Sequence, residues 1–272
     1  MLMVGDPHER KELIMLAHLL QRGRGLLTVG FIEVEHAEGD LEQQLLHLNS
    51  WDPRRKALLQ EVRKITMDAH VQCVTSRNLV EGSRCLLQLS GMSAIHVNVL
   101  GVGFHEFWEH DPGSAEQLVG IIQNAYALHC GILLFRGWRM FPFHCISPHS
   151  HIDVWWLVDD GGLTLLAPHL IVQNPELKSA KLRVLTTSVS GKNVALLFGI
   201  LKKLRIKAEI PEVDVRVNSN RHLVPSPEIL AEYKKRFPQF AGMEEKRIET
   251  MRYLHVAELI RRYSSEATLI FV

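Results

Sequence analysis

The sequence predicts an α/β protein with two subdomains, each a mostly parallel sheet flanked by helices. The first observation is the run from Ile152 to Val158, in which Asp153 is the only polar residue. Such near-continuous apolar runs are typical of strands buried on both faces. The second is the turn Asp159-Asp160-Gly161-Gly162 that follows, because Asp can cap a helix and Gly allows tight backbone. The third is that strand-like and helix-like patterns alternate on both sides of this segment.

The first half of the chain contains five strand-like segments separated by helical ones. Strands are predicted over residues 2–4, 26–34, 71–74, 97–102 and 132–135. Helices are predicted from Pro7 to Gln21, over 40–69 with a break at Asp52-Pro53, over 78–89, and over 115–128 with Ser114 as the cap. Strands that alternate with helices of ordinary length predict a parallel sheet covered on both faces.

A segment with two prolines and no usable period, residues 138–150, divides the chain. We therefore predict a first subdomain over 1–137, a linker over 138–150 and a second subdomain over 151–272. In the second subdomain, further strands are predicted over 181–186, 208–217 and 268–272, and Pro211 favours an edge or a bulge for the middle one. Its helices are predicted from Leu163, over 193–204, and over 227–263 with an interruption at Pro238.

Composition excludes several classes of protein. The 31 basic and 30 acidic residues nearly balance, and no basic block alternates with aromatic residues, so no nucleic-acid partner is expected. No window approaches the roughly 20 apolar residues of a spanning helix, which predicts that this stretch is itself soluble. The four cysteines lack CxxC spacing and no signal peptide precedes them, so we predict free thiols in a reducing compartment.

Candidate sites are few, and each has a structural alternative. The Asp159-Asp160 turn has the residues of a cation site, but helix capping accounts for the same residues. Gly101 and Gly103 end one predicted strand and Gly5 ends another, so they could face a ligand across a crevice, or they could serve backbone packing. The linker residues His144, Cys145, His149 and His151 match no zinc spacing. With no catalytic motif either, no catalytic residue and no metal ligand are predicted.

Several motifs carry a resemblance to a known family. They are IDVWWLVDDGGLTLL from Ile152, GRGLLTVG from Gly23, NLVEGSRCLLQLSGM from Asn78, NVLGVGF from Asn98 and the closing RRYSSEATLIFV. In this order they resemble the cytosolic C-terminal domain of the electroneutral cation–chloride cotransporters, which carry sodium, potassium and chloride. The resemblance implies two subdomains of the universal-stress-protein type on the cytosolic face of a membrane. It also implies a transmembrane domain of the parent transporter as a partner, and a non-catalytic regulatory, scaffolding and dimerisation role.

The resemblance also implies a nucleotide site. Some members hold adenine nucleotide in the first half, which places ATP or ADP over Gly5, Gly30, Gly101 and Gly103, although no cofactor is required. Because Asp6 and Glu9 lie nearby and no lysine pair does, we expect weak affinity. The alternative function is a free-standing adenine-nucleotide-binding sensor of the universal-stress-protein type, and an enzyme is a third, less favoured hypothesis.

Two expectations about assembly follow. A homodimer is predicted from the family and from three aromatic residues in the linker, Trp138, Phe141 and Phe143, which a monomer would have difficulty covering. The family continues with a further helix and strand where this sequence stops, so the second subdomain is expected to be truncated at its C-terminus and to leave a sheet edge open.

Overall fold

The structure is a computed structural model, and two compact units, Met1–Phe141 and Pro142–Val272, divide the chain. It describes residues 1–7, 9–21, 25–34, 53, 55–66, 68–92, 95–104, 110–141, 143, 150–157, 162–177, 179–187, 191–218, 222–238 and 248–272. Each unit has a parallel sheet flanked by helices, so the predicted fold class is confirmed.

The first unit is built on a five-stranded parallel sheet. Its strands are β1 (Leu2–Met3), β2 (Leu27–Val34), β3 (Ala69–Ser76), β6 (Val99–Gly103) and β7 (Gly131–Phe135), with a separate hairpin of β4 (Gly91–Met92) and β5 (Ile95–His96). The strand order is β3-β2-β1-β6-β7. The chain therefore first runs outward from β1 on one side and then resumes on the other side, which makes the β1/β6 junction the topological switch point.

Helices cover both faces of this sheet. They are α1 (Lys11–Gln21), α2 (residues 55–65), α3 (Leu79–Leu89) and α4 (Pro112–Ala127). Leu86 of α3 and Ile121 of α4 pack with Leu100 and Val102 on one face, while Leu13 of α1 approaches Gly103 on the other. The sheet and the helices on its two faces thus form a three-layer sandwich. The carboxyl ends of the strands and the starts of the following helices lie along the same edge of the sheet.

The first unit departs from the prediction in two places. The Asp111 side chain, rather than Ser114, caps α4 by accepting the Ser114 N–H at 3.1 Å, because the helix begins one turn earlier at Pro112. The hairpin β4–β5 was not predicted, since two-residue strands carry no detectable period. The predicted helical segment 40–52 lies outside the described residues.

The reason given for a homodimer is wrong in one respect. Trp138 and Phe141 are both buried, because the 3₁₀ helix Trp138–Met140 packs against α1, and Phe143 is half-buried. Two of the three linker aromatic residues are therefore covered within the chain and require no partner.

The second unit has a three-stranded parallel sheet with the Trp-containing segment in its centre. The strands are β8 (His151–Trp155), β9 (Lys181–Leu185) and β10 (Leu269–Phe271), in the order β10-β8-β9. Its helices are α5 (Leu163–Val172), α6 (Gly191–Leu204), α7 (Pro227–Arg236) and α8 (Ile248–Tyr263). Trp155 and Trp156 are both buried, as the apolar run predicts for a central strand.

The turn before α5 is a glycine turn where it is described. Gly162 occupies the N-cap position with a φ of 93°, a left-handed conformation that favours glycine, and glycine has no side chain of its own to cap the helix. Asp159 and Asp160 lie outside the described residues, so capping by either carboxylate stays a prediction.

The predicted strand over residues 208–217 is wrong. Only Glu209 pairs with β9, by exchanging backbone hydrogen bonds with Leu182 and Val184. Beyond Pro211, which has no N–H, side chains of α8 take the place of a neighbouring strand: Asp214 donates its N–H to the Tyr263 hydroxyl at 3.0 Å, and Arg216 to His255 Nε2 at 3.1 Å. Apolar and polar residues do alternate over 208–217, but this part of the chain packs on helix α8 and does not continue as a strand of the sheet.

The same network includes a carboxylate on α8. Glu258 Oε2 accepts the Ser226 N–H at 3.0 Å and lies 3.1 Å from His255 Nδ1. Burial raises the pKa of Glu258, but the hydrogen bonds from Ser226 and His255, with the charge of Arg216, together leave that pKa below its ordinary value. The ionised carboxylate of Glu258, on α8, thus holds the start of α7 in place.

Two further predictions concern membranes and thiols. None of the helices in the described ranges combines the length and apolar character needed to cross a bilayer. Cys73, Cys85 and Cys130 are free thiols, as predicted, and Cys145 lies outside the described residues.

Candidate functional site at the carboxyl edge of the first sheet

A cleft opens at the carboxyl edge of the first sheet, beside the end of β1. Strands β2 and β3 form its floor and helix α2 forms one wall. It is lined by Gly5, Asp6, Pro7, Phe31, Ile32, Glu33, Arg55, Ala57, Leu58, Glu61 and Cys73. Open α/β sheets bind ligands at this edge, because the strand ends there leave loops and helix starts to form the contacts.

The cleft has the size and character of a small-molecule site. Its volume is about 400 Å³, within the range of ligand pockets, and most of its lining is apolar. The charged lining residues are three carboxylates, Asp6, Glu33 and Glu61, and one guanidinium, Arg55. Such a surface suits an apolar ring that carries hydrogen-bond donors and disfavours a phosphate group within the cleft itself.

Cys73 in this cleft is not an activated nucleophile. Burial raises the pKa of its thiol, Arg55 lowers it, and Glu33 raises it further, with a net increase. The thiol is therefore protonated at neutral pH, and only the thiolate attacks electrophiles.

A second feature, next to the cleft, lies at the switch point between β1 and β6. The Arg10 side chain covers both strand ends: its Cζ lies 3.5 Å from the position a Cβ would take on Gly5, and its Nη1 lies 3.8 Å from that on Gly103. Trp138 Nε1 is 3.3 Å from the same position on Gly103, and the Arg139 guanidinium lies 4.4 Å above the Trp138 ring. Arg10 thus covers both glycines, the indole N–H of Trp138 lies beside Gly103, and Arg139 lies over the Trp138 ring.

The electrostatics of this cluster favour an anion. Burial lowers the pKa of Arg10, Arg139 lowers it further, and Glu9 acts in the opposite direction. Both guanidinium groups still carry charge at neutral pH, because arginine is not deprotonated in proteins. Like charges held together lose some of this repulsion when a phosphate or carboxylate binds between them.

The four predicted glycines occupy two kinds of position. Gly5 and Gly103 lie at the strand ends, at the switch point. Gly30 and Gly101 lie inside β2 and β6, opposite Met3 and Leu2 of β1. A Cβ on Gly30 would lie 3.0 Å from Leu86 Cδ1, and one on Gly101 would lie 3.0 Å from Leu2 Cδ1, so close packing explains both. That any of the four contacts a nucleotide stays a prediction.

The other candidates offer less. Among the residues that the structure places, no three His, Cys, Asp or Glu side chains come close enough to hold a metal ion. His144, Cys145 and His149 of the linker lie outside those residues, as do Asp159 and Asp160. Sequence reasoning missed Trp138 and Arg139, although a signal existed: they directly follow β7, and every parallel strand ends at the same edge as β1 and β6.

The comparison with protein families decides the identity of the chain. A model of solute carrier family 12 matches residues 10–140 and again residues 138–272, which together span nearly the whole sequence. The chain belongs to solute carrier family 12. The matched region corresponds to the C-terminal domain of the cation–chloride cotransporters. In this solute carrier family 12 domain, the cleft and the arginine cluster both lie at the carboxyl edge of the first sheet.

Proposed function

We propose that this solute carrier family 12 domain is a cytosolic regulatory, scaffolding and dimerisation domain that modulates chloride transport without contacting the transported ions. The match of the family over both units supports this role, because the matched region corresponds to the C-terminal domain of the cation–chloride cotransporters. The cleft in the first unit adds a place where a small molecule could bias the domain. No side-chain arrangement in the described part of the chain requires a catalytic role.

The surface for dimerisation is the open edge of β7. This strand pairs with β6 on one side only among the described residues. Gly131 donates its N–H to Asn98 and Phe135 accepts from Phe104, so the odd-numbered residues bond to β6 and the even-numbered ones face outward. Leu134 is 46% exposed on this edge. An apolar strand with free hydrogen-bonding groups pairs readily with a second copy.

Leu134→Lys should convert the dimer into a monomer. The lysine places a positive charge on each of two strands that meet across the two-fold axis, and this repulsion opposes pairing. Sedimentation velocity at several concentrations measures the change, with wild type expected at twice the monomer mass of 31.0 kDa. Because Leu134 is already exposed, the fold should be retained.

The matched control is Leu89→Lys, which adds the same charge at a leucine that is 73% exposed on α3. It should leave the dimer intact. A wild-type chain that stays monomeric at every concentration would contradict dimerisation, and equal dissociation by both variants would contradict the assignment to β7.

We propose that an adenine nucleotide, ATP or ADP, binds in the first unit. The apolar cleft accommodates an adenine ring, the carboxylates of Asp6 and Glu33 accept hydrogen bonds from amino or hydroxyl groups, and the phosphates point toward Arg10 and Arg139. Each part of the ligand thereby meets the chemistry that binds it. Affinity is weak because the carboxylates of the cleft oppose the phosphates.

Arg139→Gln should weaken ATP binding by roughly 10- to 100-fold, the value of a charge-assisted hydrogen bond. Arg139 is exposed, so the fold is not at risk. Calorimetry with ATP on wild type, Arg139→Gln and Arg10→Gln measures the effect, and Arg84→Gln, an exposed arginine of α3, is the control that should bind as wild type does. Unchanged binding by both test variants, or binding lost on Asp160→Asn instead, would refute this placement.

A further inference from the structure

The strand order of the first unit indicates where each part of a nucleotide would lie. The order β3-β2-β1-β6-β7 places the first strand of the chain in the middle of the sheet, with β2 and β3 on one side and β6 and β7 on the other. Open sheets with this order bind a nucleotide across the switch point. The phosphates lie at the start of the helix that follows the first strand, and the ribose lies at the carboxyl end of the second strand, which here is β2.

The carboxyl end of β2 carries a glutamate. Glu33 is the last residue but one of this strand, and its side chain is half-buried. Alternate residues of a strand share a face, so Glu33 lies on the same face as Phe31, and both residues line the cleft. Ile32 points to the other face, where it packs against Gly82 of α3. The carboxylate of Glu33 therefore lies on the cleft side of the sheet, where the ribose is expected.

The two other carboxylates that line the cleft lie in different places. Glu61 is on α2 and forms an ion pair with Lys64 at 2.6 Å. Asp6 is in the turn after β1, and its backbone carbonyl accepts the Arg10 N–H at 3.1 Å, so Asp6 lies next to the arginine cluster. Of the three carboxylates, Glu33 is the one at the end of the second strand.

We infer that Glu33 makes the cleft selective for ribonucleotides, because its carboxylate accepts hydrogen bonds from the 2′- and 3′-hydroxyl groups of the ribose. The inference rests on the proposed nucleotide site and adds the sugar specificity of that site. A carboxylate has two acceptor oxygens, and its hydrogen bonds are stronger than those between neutral groups. A 2′-deoxynucleotide lacks one of the two donors, so one hydrogen bond to a charged group is lost when it binds.

Calorimetry with ATP and with 2′-deoxy-ATP on the wild-type 272-residue chain tests the inference. ATP should bind roughly 10- to 100-fold more tightly, the value of one hydrogen bond to a charged group. The ratio of the two dissociation constants is the readout, because both nucleotides carry the same phosphates and the repulsion between phosphates and carboxylates cancels. Equal affinities would overturn the inference and leave the nucleotide site in place, whereas a wild type that binds neither nucleotide would overturn both.

Variants assign the selectivity to Glu33. Glu33→Ala should bring the ratio close to one, and Glu33→Gln should give an intermediate ratio, since its amide oxygen still accepts a hydrogen bond but carries no charge. Glu116→Gln, which removes an exposed carboxylate from α4, is the matched control and should bind both nucleotides as wild type does. Arg139→Gln should weaken both nucleotides by the same factor, because they share their phosphates. If Glu33→Ala also weakened both equally and kept the wild-type ratio, Glu33 would not contact the ribose and the inference would be wrong.

Discussion

Trp155→Ala should lower the free energy of unfolding of the second unit by about 3–5 kcal/mol. Trp155 is 0% exposed on the central strand β8, where it packs with Leu185 and Leu259. Its indole N–H also donates to Ser264 Oγ at 3.0 Å, and the variant leaves that buried hydroxyl without this donor. Because a domain is stable by only about 5–15 kcal/mol, a large share of the total is lost.

Denaturant unfolding followed by circular dichroism measures this change without relying on tryptophan emission. Trp155→Phe is the control: it retains most of the ring and loses the hydrogen bond, so it should be clearly less destabilising than alanine. Trp156→Ala should also destabilise, since Trp156 is buried beside β8. If either alanine variant kept its melting temperature and lost only a ligand, the tryptophan pair would be a binding site and its structural interpretation would be wrong.

The central strands could be predicted because their burial is visible in local sequence. The run around Trp155 has apolar side chains on both faces, and that pattern requires cover on both sides wherever the strand lies. Helix α3 was likewise predictable, because Asn78 caps it by accepting the Glu81 N–H at 2.8 Å. These signals act within a few residues of one another.

The conformation of residues 208–217 could not be predicted, because the contacts that determine it lie far away in the sequence. Its hydrogen-bond acceptors, Tyr263 and His255, lie about 40 to 50 residues further along the chain. Alternation of apolar and polar residues shows only that one face is buried, not whether a strand or a helix covers it.

The candidate site was partly predictable. Gly5 and Gly103 lie at the strand ends where the pattern placed them, but Gly101 falls two residues inside β6. A shift of that size is within the uncertainty of strand boundaries read from sequence, and it separates ligand contact from packing. Gly30 lies in the middle of β2, as the predicted strand over 26–34 already implied. Arg139 was missed because a segment read as a linker carries no expectation of a site.

Arg183→Met should destabilise the second unit by about 3–5 kcal/mol, because it leaves a charge buried without its partner. Asp153, the only polar residue in the central apolar run, is 0% exposed on β8. Arg183 stands opposite it on β9 and donates from Nε at 2.8 Å and from Nη2 at 2.6 Å, while Nη2 also reaches the Tyr263 carbonyl at 3.1 Å. The hydrogen bonds to Asp153 raise the pKa of Arg183, against the effect of burial.

A double-mutant cycle separates the interaction energy of the Asp153–Arg183 pair from the cost of removing the two charges from water. Asp153→Val/Arg183→Met replaces both charges by apolar groups and should recover most of the stability lost in either single variant, since a buried ion pair adds little over a well-packed apolar pair. Urea unfolding of the four proteins gives the coupling energy. A loss below about 1 kcal/mol for Arg183→Met, the value of an exposed pair, would mean that water reaches Asp153 and that this contact is not what sets the register of β8 against β9.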